Sequence, residues 1–182
     1  MQRDHMQSRH LGRISVRVRP GRRSQGILRA GSLVVPVAIG RGGVKADKRE
    51  GDGGTPRGRF LPLRLWWRAD RLPRPRTLLP TRRIGSANAW CEDPVDRNYN
   101  RPVQRSATEP GDRLKRRDGL YDVLIEIDHN TRPRVAGRGS AVFIHVARPG
   151  LAPTAGCIAL KLNDLLRLSR GLTSKTRIMI HN

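Results

Sequence analysis

A chain of 182 residues is long enough for one domain with its own core and too short to expect two. It carries 37 Lys and Arg, only five of them Lys, against 15 Asp and Glu, for a formal net charge of +22. No apolar run nears the ~20 residues of a membrane-spanning helix, and two Cys exclude a disulfide-dense scaffold or a four-Cys zinc site.

Residues 1–12 read as a loose polar terminus, and 1–24 as a basic extension ahead of a domain over 25–182. Within the extension, Ile14, Val16 and Val18 alternate with Ser15, Arg17 and Arg19, the period-2 pattern of a half-buried strand. Residues 21–26 form a turn region. Residues 26–29 and 33–39 read as two strands around an Ala30–Gly31 turn. Pro36 places the second at an edge or bulge, because it has no N–H for a ladder. A Gly-rich, charged loop follows over 40–58, where Asp52, Thr55 and Pro56 fix a turn by capping backbone groups and setting φ. Residues 60–67 are a third apolar stretch; in a strand, adjacent Trp66 and Trp67 face opposite sides. Residues 68–119, rich in Arg, Pro, Asp and Asn, form an insertion or lid unusually long for a compact domain.

The clearest strand is 121–128, with Val123, Ile125 and Ile127 on one face. Residues 140–147 are nearly all apolar and so central; 157–162 add a short apolar segment. Asn163 reads as the N-cap of a helix through Leu165, Leu166 and Leu168, and Gly171 as its stop. Residues 176–181 close the chain as a strand. Many short strands and one convincing helix make the domain mostly β.

The charge has three readings. One is a solvated, Arg-rich surface; the second is attraction to an anionic polymer such as peptidoglycan stems with free carboxylates; the third is nucleic acid. The scatter of Arg over the whole length, with acids interspersed and no zinc-finger spacing, argues against nucleic acid.

The chemistry-bearing segment runs from Phe143-Ile144-His145-Val146 to Thr154-Ala155-Gly156-Cys157. A Cys nucleophile needs a base or cation to make thiolate, and backbone N–H groups aimed at the developing oxyanion. His145 ends an apolar strand, and a Pro- and Gly-rich turn leads to Cys157. The turn can aim consecutive N–H groups at one point, and Gly156 lets substrate approach the backbone. A buried structural thiol and a satisfied core histidine are the alternative reading of the same pair.

His145 followed by Thr154-x-Gly156-Cys157 resembles the signature of the YkuD-type L,D-transpeptidase catalytic domain. The segment Gly51-Asp52-x-x-Thr55-Pro56-x-Gly58-x-Phe60 resembles that family's upstream motif, in the same order. The resemblance covers roughly residues 25–181. It implies a mostly-β, β-sandwich-like catalytic domain with a few short helices, needing no metal or organic cofactor. It implies that Cys157 attacks a peptidoglycan tetrapeptide stem, releases D-Ala and passes the acyl group from a thioester to an amine, making a 3→3 crosslink. His145 is then the acid–base, oriented by the Val146 backbone carbonyl, with the N–H groups of Ala155, Gly156 and Cys157 as the oxyanion hole. Arg148, Thr154 and Tyr121 are candidate substrate-binding residues. Many family members carry Arg two positions after the Cys, where this chain has Ala159. Water as acceptor makes the same site an L,D-carboxypeptidase or endopeptidase. A non-catalytic basic binder of anionic polymer is the competing class. The resemblance implies a periplasmic or cell-envelope location; the first 25 residues offer no apolar signal-peptide core, which leaves a cytoplasmic one open.

Overall fold

The computed structural model describes residues 10–182. The part of the expected loose terminus over 1–9 lies outside the described residues. In chain order the strands are β1 (Arg13–Arg19), β2 (Arg22–Ala30), β3 (Leu33–Ala38), β4 (Val44–Lys45), β5 (Thr55–Pro56), β6 (Gly58–Phe60), β7 (Pro62–Trp67) and β8 (Thr81–Arg83). They continue as β9 (Asn88–Trp90), β10 (Pro102–Gln104), β11 (Asp112–Arg113), β12 (Val123–Ile127), β13 (Phe143–Val146) and β14 (Ile158–Leu160). Helix α1 (Leu162–Ser169) and β15 (Arg177–His181) end the chain.

Ten strands form one mixed sheet in the order β6-β15-β1-β2-β3-β14-β13-β12-β7-β8. Its alternation sorts side chains between two cores. Ile14, Val16, Leu28, Val35, Ile125, Ile144, Ile158 and Ile178 turn to one face and join Leu165 and Leu168 of α1 in the main core. Strands from both ends of the sheet contribute to this one cluster, so the sheet curls around it, which gives the sandwich-like, mostly-β architecture expected. Each Leu, Ile or Phe buried in full contributes ~1.5–3 kcal/mol.

The opposite face of β7, β12 and β13 carries a second core, where Trp66, Leu124 and Phe143 meet Trp90, Leu114, Leu120 and Tyr121 from the insertion and the chain just after it. Trp90 and Tyr121 both set their rings edge-on to Phe143, at 4.9 and 5.8 Å between centroids. Trp66 and Trp67 divide between the two cores as alternation requires.

Four expectations need correction. Residues 13–24 are not an extension: β1 and the start of β2 lie inside the sheet, β1 paired with both β15 and β2. The turn placed at 21–26 shrinks to Pro20–Gly21, since the ladder resumes at Arg22. The insertion holds short strands: β9 pairs with β10 and β11 in a three-stranded sheet. Finally, Asn163 does not cap α1. The helix begins two residues earlier, at Leu162, with Leu165 N–H reaching Lys161 O at 3.0 Å, and Lys161 stands at the N-cap.

Candidate active site

The turn from Thr154 to Cys157 is built by its own hydroxyl. Thr154 Oγ1 donates to Cys157 O at 2.6 Å and accepts from Gly156 N–H at 3.1 Å. The turn is stitched to the end of β3, with Thr154 N–H on Ile39 O (3.0 Å) and Arg41 N–H on Thr154 O (2.9 Å). The upstream motif buttresses it from below. Asp52 accepts from Gly54 N–H (2.7 Å), Arg49 N–H (2.9 Å) and the buried Lys48 ammonium (2.8 Å). These bonds and the Lys48 charge outweigh partial burial and hold its carboxyl down to about 2. Thr55 Oγ1 accepts from the buried Gly40 N–H at 2.8 Å. Asp52 and Thr55 thus fix the turn as the sequence suggested.

Two expectations change here. The Thr154 hydroxyl, a candidate substrate contact, is engaged within the turn, and so is the Gly156 N–H expected in the oxyanion hole. The freedom of Gly156 serves the neighbouring loop rather than substrate. At its φ of +149°, a Cβ would stand 2.8 Å from Gly54 O. Gly156→Ala is therefore expected to destabilise the fold by ~1–3 kcal/mol and to lower the thermal midpoint, read by circular dichroism. Among the described residues the Ala155 and Cys157 N–H groups make no hydrogen bond.

Strand β13 carries His145 on the face of the second core, directly opposite Ala159 of β14 and Leu124 of β12. Its Nδ1 lies 2.8 Å from Val146 O, the carbonyl that the resemblance implied. Nδ1–H donates there, which leaves Nε2 as the basic nitrogen. Burial dominates its titration and pushes the imidazole down to about 4, against the raising effect of the Val146 carbonyl. Cys157 is 8 % exposed. Its thiol donates to Ala141 O at 3.1 Å and accepts from Phe143 N–H at 3.3 Å. Burial pushes it up to about 12, and the charges of Asp112 and Glu92 add to the rise. The resting pair is a neutral thiol and a neutral imidazole.

This has a consequence for acid stability. The unfolded imidazole titrates near 6.5 and the folded one near 4. Between those values the unfolded chain binds a proton that the folded chain does not, so His145 lowers stability as pH falls, by ~3 kcal/mol at the limit. The wild-type melting temperature should therefore fall more steeply between pH 7 and pH 4.5 than that of His145→Gln; parallel slopes would contradict it.

Both residues line one cavity of about 630 Å³. The sequence reading also named Arg148, Thr154, Ala155, Gly156 and Tyr121, and all five line it; Val146 stands behind His145. Tyr121 sets its ring edge-on to His145 at 5.4 Å and donates its hydroxyl to Asp112 at 2.6 Å. Burial, with Asp112 and Cys157 nearby, raises its phenol well above 10.

Six of the cavity residues that sequence reasoning missed are charged. Arg41 comes from the loop after β3, Lys48 and Glu50 from the Gly-rich loop, and Glu92, Asp112 and Arg116 from the insertion. Arg116 pairs with Asp118 (2.6 Å) and Asp112 (3.4 Å) and sits 5.2 Å over the Tyr121 ring. Glu50 accepts from the Tyr99 hydroxyl. Glu92 alone of the three cavity acids has no hydrogen bond or ion pair among the described residues. Partial withdrawal from water, with Asp112 and Glu50 as like-charged neighbours, pushes its carboxyl up to about 7. No local pattern gives these positions a role; the folding of the insertion over β12 and β13 brings Glu92, Asp112 and Arg116 to the cavity.

Among the described residues no helix is long and apolar enough to cross a membrane. Neither a curated protein nor a solved structure matches the chain. A family model does, over residues 15–180, from β1 to β15 and across every element that builds the cavity. The chain thus belongs to the YkuD family, the L,D-transpeptidase catalytic domains.

Proposed function

We propose that this chain is a cysteine L,D-transpeptidase that crosslinks peptidoglycan tetrapeptide stems at the cell envelope through a thioester on Cys157. One observation carries the reading: a thiol and a histidine oriented by a backbone carbonyl share a cavity beside two unengaged backbone N–H groups.

The proposed steps start from the resting geometry. The thiol swings from Ala141 O toward His145 Nε2 as substrate enters. Attack on the L,D carbonyl forms the carbon–sulfur bond while Nε2 takes the thiol proton. The oxyanion falls to the Ala155 and Cys157 N–H groups. Collapse breaks the peptide bond, and His145 returns the proton to the departing D-Ala amine. An acceptor amine then attacks the thioester, gives its proton to His145 and thence to sulfur, and the amide forms. With both groups neutral at rest, proton transfer accompanies attack rather than preceding it.

The charged lining suits a substrate with both kinds of ends. Arg41, Arg116 and Arg148 bring guanidinium groups to the cavity that Ala159 also lines, offsetting the missing family arginine. Glu92 offers an unengaged carboxylate to the acceptor ammonium, which must lose a proton before it can attack. Glu92→Gln is expected to lower dimer formation about tenfold or more while leaving D-Ala release into water within about threefold. Equal loss of both products would contradict that role.

The testing experiment incubates the protein with a defined tetrapeptide stem and resolves products by mass spectrometry. Free D-Ala together with a 3→3 dimer supports transfer. D-Ala with tripeptide alone makes the protein an L,D-carboxypeptidase, and no turnover by folded protein overturns the reading.

A further inference from the structure

We infer that the outer face of β6, β15, β1, β2 and β3 is a docking surface for polymeric peptidoglycan, held through its many free carboxylates beside the cavity. The inference rests on the proposed function for the identity of the polymer; the surface itself is read from strand register and charge.

Ladder partners share a face, so the register lists what that face carries. One row runs Arg59–Met179–Ser15–Arg29–Val34 across all five strands. With strands ~4.8 Å apart, Arg59 and Arg29 stand about 14 Å from each other along it. A second row sets Arg13 directly opposite Arg177, and a third sets Arg17 opposite His181 and Ile27. These arginines are all exposed, and none makes an ion pair among the described residues. The cause is in the sequence: no Asp or Glu occurs in 5–46 or in 165–182. Where acids lie nearby, arginines do find partners, as Arg64 does with Glu126, Arg68 with Asp70, Arg71 with Asp122 and Arg105 with Asp96. Among the described residues, exposed arginines such as Arg74, Arg83 and Arg97 are unpaired too, but none of them stands in these rows. Like charges directly opposite on a sheet are destabilising, and nothing in the described fold offsets the Arg13–Arg177 juxtaposition. An anionic partner would.

The same face leads to the chemistry. Gln25 pairs with Ala38, Ala38 with Ala159, and Ala159 with His145, so the arginine rows and the catalytic histidine project from one side of one sheet. Arg23, also on that side of β2, donates to Gly42 O at 3.1 Å, next to the cavity residue Arg41. A carboxylate-bearing strand laid along the rows would therefore present its stems to the cavity mouth. Guanidinium groups suit carboxylates through paired N–H donors. The rows contain no Trp, Tyr or Phe on which bases would stack, which disfavours single-stranded nucleic acid.

The test compares two triple variants of equal net charge. One removes the face with Arg13→Gln, Arg17→Gln and Arg29→Gln; the control removes exposed arginines elsewhere with Arg74→Gln, Arg83→Gln and Arg97→Gln. Each is pelleted with peptidoglycan sacculi at low and at raised salt, after melting curves confirm folding. The face triple is expected to bind about tenfold more weakly than wild type, with binding lost as salt rises. The control triple should stay within twofold. D-Ala release from a soluble tetrapeptide should stay within twofold for both. Equal weakening by both triples, or none by either, overturns the proposal. So does face-dependent binding that is stronger to phosphatidylglycerol vesicles or to DNA than to sacculi. Pelleting is scored without turnover, so an inactive wild type would sink the cavity reading while the two triples still decide the face.

Discussion

Cys157→Ala is expected to lower D-Ala release from a tetrapeptide stem by about four orders of magnitude or more, with the fold intact. The magnitude follows from what the thiol supplies. Without it there is no covalent intermediate, and water would have to attack an amide directly. The fold should survive because the thiol's partners, Ala141 O and Phe143 N–H, are backbone groups whose positions the chain itself fixes. The residue is also the rim of the second core rather than its centre, and removing one sulfur leaves Trp66, Trp90, Leu124 and Phe143 in contact. Stopped activity with a melting temperature within a few degrees of wild type is the expected pair of results. Full turnover by a folded variant would mean that another nucleophile does the work.

His145→Gln is expected to reduce turnover about a thousandfold, in the range of a lost general base, and to change the pH profile. In the wild type, burial holds the imidazole neutral down to about 4. The acid limb of kcat/KM should therefore lie near pH 4–5 rather than near 6.5, and activity should be flat through pH 7. The high thiol value, about 12, predicts slow alkylation by iodoacetamide at neutral pH that rises with pH, since no preformed thiolate is present. In His145→Gln the acid limb should vanish along with the activity. A wild-type limb near 6.5 would mean that the histidine is better hydrated in solution than its packing beside Tyr121 implies.

The sequence made much of this legible because the strands that matter alternate cleanly. Ile14, Val16 and Val18 in β1, and Val123, Ile125 and Ile127 in β12, point to one core as their period requires. The edge or bulge expected from Pro36 is not found: β3 lies inside the sheet between β2 and β14 and pairs with β2 in unbroken register, and its missing N–H is tolerated because β14 pairs with β3 only at Ala38. The His145 and Cys157 positions were legible because strand, turn and glycine lie within one short segment. The insertion was not. Its strands are two or three residues long, too short to show a period, and long-range side-chain bonds hold them. Asn100 is typical: its Oδ1 accepts from Trp90 Nε1 at 3.0 Å, and its amide donates to His129 O and Asn130 O at 3.0 and 2.8 Å. The engagement of Gly156 N–H by Thr154 was equally hidden, since sequence gives the residue types of a turn but not which N–H closes it.

The most direct measurement is the intact mass of the protein, quenched in acid during incubation with a carbapenem and then with the tetrapeptide stem. An added mass matching one acyl group on wild type, mapped to Cys157 by peptide sequencing and missing from Cys157→Ala, is the expected result. No adduct on correctly folded wild type, or an adduct that persists in Cys157→Ala, would contradict the thioester mechanism.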